Sequence, residues 1–309
     1  MKKVLKVIGI VLLVIIVIVV ILLKFLASIP AAPKDYQSMV KTGGIIEKKY
    51  MANGSYEVLT LENAVLQEFG KFIVYYPKEL ENENKKYPVI VLCNGSGTPM
   101  SKYSSVAKHL ASWGFIVIGT EENYSWNAFG AEISIRYLER FNENEKIENT
   151  KSVFYQKVDF DNVGVVGHSQ GGVGVINALT DTTHKDIYKA AVALSPTNKE
   201  LAHNLFWDYD ATLIKAPIML ISGEGGGDDW VVTLEQLSEI YDDISSPKIM
   251  TRRKNTPHNE VLYTANGYVV AWFMYYLQND QEASKAFIGD NPEIISNEIY
   301  QDQKIDIDK

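Results

Sequence analysis

The sequence predicts an α/β domain, built on a mostly parallel, doubly wound sheet and preceded by an apolar N-terminal segment. Three observations lead there. Short apolar runs such as Tyr87–Cys93, Phe115–Thr120 and Val163–Val166 alternate with stretches of helical spacing such as Tyr103–Trp113, Glu132–Phe141 and Tyr268–Leu277. That alternation places helices on both faces of a parallel sheet. About 275 residues follow the apolar segment, enough for one large domain burying roughly three quarters of its unfolded surface. A hydrophobic content of 46% with 11% aromatics supplies the core.

The leader Met1–Lys6 carries Lys2, Lys3 and Lys6, and an uncharged run of 17 residues, Val7–Leu23, follows. Continued through Ala27 at about 1.5 Å per residue, it reaches across a hydrocarbon layer of roughly 30 Å. Lysines concentrated before the run favour an inside N-terminus. Residues 1–27 are therefore expected to be a retained transmembrane signal anchor, with the catalytic domain outside the cytoplasm. Residues 28–44 would be a linker stiffened by Pro30 and Pro33. The alternative is a signal peptide cleaved near Ile29-Pro30-Ala31 and a secreted protein, but the apolar run is longer than the usual signal core of about 7–15 residues.

The formal charge of −8 argues against nucleic acid or an anionic membrane surface as the main partner. One cysteine, Cys93, excludes an intramolecular disulfide and reads as a small buried filler. There is no Cys/His metal spacing, dinucleotide fingerprint or internal repeat, so no metal or cofactor is expected.

In chain order, Ile45–Tyr50, Tyr56–Leu61 and Phe72–Tyr76 read as early, partly antiparallel strands, and the charged run Glu81–Lys86 as a solvated turn. The strand Tyr87–Cys93 leads into Asn94-Gly95-Ser96-Gly97. After Phe115–Thr120 come Tyr124, Trp126 and Phe129, placed either to wall a pocket or to fill the core. Residues 197–215, with Phe206, Trp207 and Tyr209, are long enough for a small cap, and residues 281–309 read as a polar C-terminal extension of weak order.

The most informative segment is Val163–Gly174, an apolar run passing through Gly167-His168-Ser169-Gln170-Gly171 into a helix-like stretch. A serine held on a sharp strand-to-helix turn needs small residues two positions to either side, and Gly167 and Gly171 meet that demand. The other use of a glycine-rich turn, cradling phosphate, would call for a lysine after the glycines, and none follows.

A nucleophilic serine needs a base and an orienting acid, which in this arrangement follow in the order Ser, Asp or Glu, His. Of five histidines, His109 precedes the serine, His168 sits inside the turn, and His184 and His203 come too early. His258 remains, in a polar loop between Pro247–Thr251 and the helix-like Tyr268–Leu277. The acid should cap the strand Pro217–Glu224, where Asp228 and Asp229 compete within Gly225-Gly226-Gly227-Asp228-Asp229-Trp230. Asp229 is preferred because Asp-Trp-Val-Val resembles the segment after the acid in many such hydrolases; Asp228 is second and Glu224 third. A solvated acidic turn or a weak calcium site is the structural alternative.

In this reading His258 takes the Ser169 proton as the hydroxyl attacks an acyl carbon, and the aspartate fixes the imidazole tautomer. The oxyanion needs backbone donors, contributing on the order of 3 kcal/mol each. The N–H of Gln170 and the N–H of Ser96 are the candidates.

These residues resemble an α/β-hydrolase, and within that fold the dienelactone-hydrolase and bacterial cutinase-type esterases, over about Lys71 to Asp280. The likeness runs through Pro88–Gly97, Leu110–Ile118, Asp161–Val163, Lys189–Pro196, Pro217–Glu224 and Tyr268–Phe273. Cutinase-type enzymes carry an aromatic where this chain has Ser96, Met where it has Gln170, and Trp where it has Thr197. Two polymer-clamping aromatics are thus missing, and the expected substrates are esters of small or medium acyl chains. Residues 45–280 are expected to be the catalytic domain of a serine carboxylesterase. An acyltransferase or peptidase using the same residues, or a non-catalytic tethered binding protein, is the alternative.

Overall fold

The computed structural model describes residues 2–65, 70–147 and 150–307. Its strands are β1 Val58–Val65, β2 Lys71–Pro77, β3 Tyr87–Cys93, β4 Ile116–Thr120, β5 Lys146–Ile147, β6 Thr150–Lys151, β7 Val158–His168, β8 Tyr188–Leu194, β9 Ile218–Ser222, β10 Lys248–Arg253 and β11 Tyr300–Asp306. Among the described residues β5 and β6 pair apart, and the other nine form one sheet in the order β1-β2-β4-β3-β7-β8-β9-β10-β11. From β4 to β10 neighbouring strands are parallel. The margins are antiparallel, β1 and β2 at one side and β11 at the other.

Helices α1 Lys2–Ser28, α2 Tyr36–Met39, α3 Ile45–Met51, α4 Ser104–Ser112, α5 Phe129–Glu143 and α6 Gln170–Thr180 are followed by α7 Lys199–Asn204, α8 Asp228–Val231 and α9 Leu234–Asp243. The chain then forms α10 His258–Thr264, α11 Asn266–Gln278, α12 Gln281–Ser284 and α13 Glu293–Ser296. Successive side chains of a strand point to opposite faces, and β3 shows the consequence. Ile90 and Leu92 join a core with α3, α4 and α11, whereas Val89, Val91 and Cys93 join one with α5, α6 and α9. Parallel strands bring their carboxyl ends to one edge of the sheet, so the loops after β3, β7, β8, β9 and β10 converge there.

The structure differs from the sequence expectations at both ends of the domain. Ile45–Tyr50, expected as a strand, is helix α3: Ile46 and Tyr50, one turn apart, are both buried against α11. Glu47 is buried on the same helix, where its carboxylate accepts from Arg253 Nη1 and Tyr300 Oη, both at 3.0 Å, and from Asn297 Nδ2 at 2.9 Å. Within the expected extension 281–309, the described residues 281–307 are not loose. They supply α12, α13 and the edge strand β11, and Glu293 accepts from the N–H groups of Ile46 and Glu47 at the start of α3. Nor are residues 28–44 a free linker, since Ala32 and Tyr36 lie in the core and Ala31 N donates to Lys102 O at 2.9 Å.

The anchor expected over residues 1–27 lies partly outside the described residues, which exclude Met1 and the side chains of 2–7 and 23–27. Among the described residues no helix is long and apolar enough to cross a membrane. The described part of α1, Ile8–Leu22, is apolar and exposed along its length.

Candidate active site

Ser169 stands between β7 and α6 with φ 61° and ψ −122°, a backbone conformation sparsely populated by L-residues. Its N–H donates to Leu194 O at 2.9 Å and its carbonyl accepts from Gly172 N at 2.8 Å, which fixes the turn to β8 and to the helix. The flanking glycines are sterically required. A methyl at Gly167 would lie 2.9 Å from Cys93 Cβ and closer still to the Gly171 carbonyl, and one at Gly171 would press on the Cys93 carbonyl. The expected sharp turn is therefore present, with backbone packed against backbone where side chains are absent.

His258 begins α10, behind Pro257. Its Nδ1 lies 2.7 Å from Asp228 Oδ1, and that carboxylate is fully buried. A carboxylate can only accept, so His258 carries its proton on Nδ1 toward Asp228, leaving Nε2 as the basic nitrogen. The other carboxylate oxygen, Oδ2, accepts from Ser195 Oγ at 3.1 Å and from the Gly223 N–H.

The side chain of Asp229, the expected acid, is exposed, and the carboxylate that reaches His258 is that of Asp228. Gly227, at φ 96°, turns the chain into the single turn α8, and Asp228 is its first residue. A step along a helix rotates the side-chain direction by about 100°, so the next carboxylate points away from the carboxylate pocket. Glu224 is taken up elsewhere, accepting from Asn255 N at 3.1 Å.

Gly95 brings the loop after β3 against the serine. A methyl there would be 3.2 Å from His168 O and 3.9 Å from Ser169 Cβ, and its N–H donates to Tyr103 Oη at 2.8 Å. Asn94 pins the loop from below, with Nδ2 donating to the carbonyls of Thr120 and Glu122 at 2.7 Å each. Ser96 follows at the cleft wall. Gln170 opens α6, where the first N–H groups have no partner within the helix. Its side chain is fully buried, with Oε1 accepting from Ser125 N at 2.9 Å.

Ser169, His258 and Ser96 line one cleft of about 490 Å³. Its apolar walls come from Leu201, Leu205, Trp207, Trp230 and Val231. The segment expected as a cap thus supplies one wall through α7 and the turn after it. Tyr124, Trp126 and Phe129 are not among the lining residues, and Tyr124 and Phe129 are largely exposed.

Sequence reasoning missed three contributors. Ser195, at φ 42° after β8, and Gly223, after β9, hold Asp228 in place. The only signal for the first was its position at a strand's carboxyl end, where Ser195-Pro196 stood. The third is His168, inside the turn. Its Nε2 donates to the His258 carbonyl at 2.8 Å, and the two rings lie 4.5 Å apart. Burial, aided by neighbouring His258, lowers its pKa to about 3, so it remains neutral. Among the described residues no group of three His, Cys, Asp or Glu side chains could hold a metal ion.

A mixed sheet with a parallel centre, carrying a serine on a strand-to-helix turn at its carboxyl edge, defines the α/β-hydrolase class. The PET hydrolase-like family matches residues 46–305, most of the chain, and the chain belongs to that family. It is similar to cutinase est1 of Thermobifida alba, at 27% identity over 218 residues covering 69% of this chain and 67% of the relative. Cutinase est2 of the same organism is 25% identical over 223 residues, 69% of this chain and 66% of the relative. Platelet-activating factor acetylhydrolase of Cavia porcellus is 23% identical over 234 residues, 60% of this chain and 51% of the relative. The chain thus spans about two thirds of the length of the two cutinases and about half of the acetylhydrolase. The family and these relatives identify it as a carboxylesterase-type enzyme.

Proposed function

We propose that the protein hydrolyses carboxylic esters of small or medium acyl chains through an acyl-enzyme on Ser169. The observation that carries this is the 2.7 Å contact of His258 Nδ1 with buried Asp228, in a cleft that Ser169 and His258 share. In the first half-reaction His258 Nε2 takes the Ser169 proton as Oγ bonds to the acyl carbon. The carbonyl electron pair moves onto oxygen, where the N–H groups of Gln170 and Ser96 receive it. The pair returns, the ester C–O bond breaks, and the alcohol leaves with the proton from His258. Water then attacks the acyl-enzyme by the same steps in reverse, releasing the acid and restoring Ser169.

The test is hydrolysis of p-nitrophenyl acetate and butyrate by the wild type and by Ser169→Ala. The expected result is turnover by the wild type alone, with a fluorophosphonate probe attaching at Ser169. Equal rates in the two proteins, or labelling elsewhere, would overturn the reading.

We also infer that α1 tethers the enzyme to a membrane with the catalytic domain outside. Support comes from its 27-residue length, about 40 Å at 1.5 Å per residue, and from the exposed aliphatic surface of Ile8–Leu22. A helix apolar all round is stable where lipid or protein covers it, and the lysines of the leader sit at the end expected to stay inside. Full-length protein should resist extraction by carbonate. A secreted product with its N-terminus near Ala32 would refute retention.

A further inference from the structure

The chain leaves α1 at Ser28, and the next three residues already touch the catalytic region. Ile29, Pro30 and Ala31 line a small cavity of about 230 Å³ together with Thr98, His168 and Asn259. Those last three residues also line the active-site cleft. The Ala31 backbone is held by Lys102 O, and Ala32 is 2% exposed. Ile29, the first residue after α1, thus lines a cavity that shares part of its wall with the cleft.

The rim of the cleft is also apolar. Trp230 is 72% exposed and Leu205 40%, and both line the cleft. Between the lining residues Leu205 and Trp207, Phe206 is 81% exposed and held at φ 60°. A left-handed backbone is unfavourable for a bulky residue and turns this ring outward instead of into the wall. Large aromatic and aliphatic side chains fixed outward beside a tether suit insertion among acyl chains. With a net charge of −8, attraction to anionic headgroups does not account for such a surface, and an uncharged lipid is the occupant it suits.

We propose that the cleft opens onto the lipid layer holding α1, and that its substrate is the acyl ester of a neutral lipid drawn from that layer past Phe206 and Trp230. This rests on the hydrolase and tether readings above. It adds the substrate's physical state and the surface that meets it. The chemistry is unchanged: the lipid's ester C–O bond breaks, its acyl group passes to Ser169 and then to water, and a fatty acid and the remaining alcohol are released.

The experiment uses full-length protein in phosphatidylcholine vesicles doped with a fluorogenic diacylglycerol, with p-nitrophenyl acetate as the soluble reference. Phe206→Asn removes the ring while keeping a residue that tolerates the left-handed backbone. It should slow hydrolysis of the vesicle-borne ester roughly tenfold, the factor for moving one Phe side chain from apolar surroundings to water. The soluble rate should stay within about twofold of the wild type.

A second readout does not depend on turnover. Cys93, the sole cysteine, is buried. An environment-sensitive dye on Phe206→Cys therefore labels the rim alone, and it should shift to the blue in vesicles and be quenched by nitroxide lipids. A dye that remains in water on vesicle-bound protein, or a Phe206→Asn effect equal on both esters or absent from both, would overturn the proposal. If Ser169→Ala matches the wild type on the soluble ester, the hydrolase reading itself has failed. If the full chain does not bind vesicles, the tether and this proposal fall together while soluble esterase activity still stands.

Discussion

Asp228 and His258, thirty residues apart in the chain, meet through a 2.7 Å contact between Oδ1 and Nδ1, while the second oxygen of the carboxylate is occupied by Ser195 and Gly223. The carboxylate is thereby held from two sides, and the histidine it orients has one available tautomer. Replacing Asp228 with Asn keeps the shape but offers an amide that can donate to the ring, which permits the wrong tautomer. Asp228→Asn should lower kcat for p-nitrophenyl butyrate by about 10⁴ with a normal thermal transition. Asp229→Asn, altering an exposed side chain, should stay near the wild-type rate. The reverse ranking would return the acid to Asp229.

In the proposed mechanism Ser195 acts only through Asp228, so its loss should be milder and should show in the pH profile. Ser195→Ala removes one hydrogen bond to the charged carboxylate, an interaction of about 1.5–3 kcal/mol. The expected outcome is kcat reduced by roughly tenfold or more with KM little changed, and a shift in the ionisation that limits kcat at low pH. An unchanged pH profile would reduce Ser195 to a packing role.

Acid stability should depend on His109, far from the chemistry. Its Nε2 faces the Ala52 carbonyl at 2.8 Å and must donate, so Nδ1 accepts from the Tyr36 hydroxyl at 2.7 Å or from Asn266. Burial lowers its pKa from 6.5 to about 4. A histidine depressed in the folded state stabilises fully above its unfolded pKa and loses that contribution as pH falls toward the folded one. Urea midpoints of the wild type should therefore drop between about pH 6.5 and pH 4. His109→Gln should start lower at pH 7 and show a shallower drop over that window.

The turn around Ser169 tolerates no added carbon on its glycines. Gly171→Ala would force a methyl to 2.9 Å from the Cys93 carbonyl carbon and 3.0 Å from Asn94 O, against backbone that cannot swing aside. Overpacking of this kind costs about 1–3 kcal/mol or more. Urea unfolding should show a loss of that size, with activity falling further because β3 and the loop after it must move relative to Ser169.

The buried pair of Glu47 and Arg253 predicts an asymmetric response. Arg253→Met leaves a fully buried carboxylate without its cation, at a cost of about 3–5 kcal/mol. Limited proteolysis should then cut first near residues 297–303, where Asn297 and Tyr300 share that carboxylate.

What could be read in the sequence followed from how local each feature is. Gly167 and Gly171 flank Ser169 within five residues, and the turn they permit is set by backbone sterics alone, so spacing was sufficient. His258 was reached by chain order, which the parallel strands impose. The choice between Asp228 and Asp229 was different, since it turns on one residue's rotation in α8 after left-handed Gly227, which neighbouring letters do not encode. Ile45–Tyr50 is too short for its apolar spacing to separate a strand from a helix, and the helix start is completed by Glu293, 246 positions away from Glu47. Residues 300–306 look polar because β11 is an edge strand with Tyr300 as its buried anchor, and charged side chains are the usual composition of such an edge.

The network around Glu47 also has a consequence for the order of events during synthesis. Tyr36 waits for Asn266, and Glu47 waits for Arg253, Asn297 and Tyr300, separations of 206 to 253 residues. Contacts so distant in the chain form late, because their loops must close before any are gained. While the ribosome is still adding residues up to about 300, the first helices of the domain have only their nearer partners, such as His109 for Tyr36 and Ala52. A chain that leaves the ribosome in this state remains threadable, and it locks only when its tail arrives.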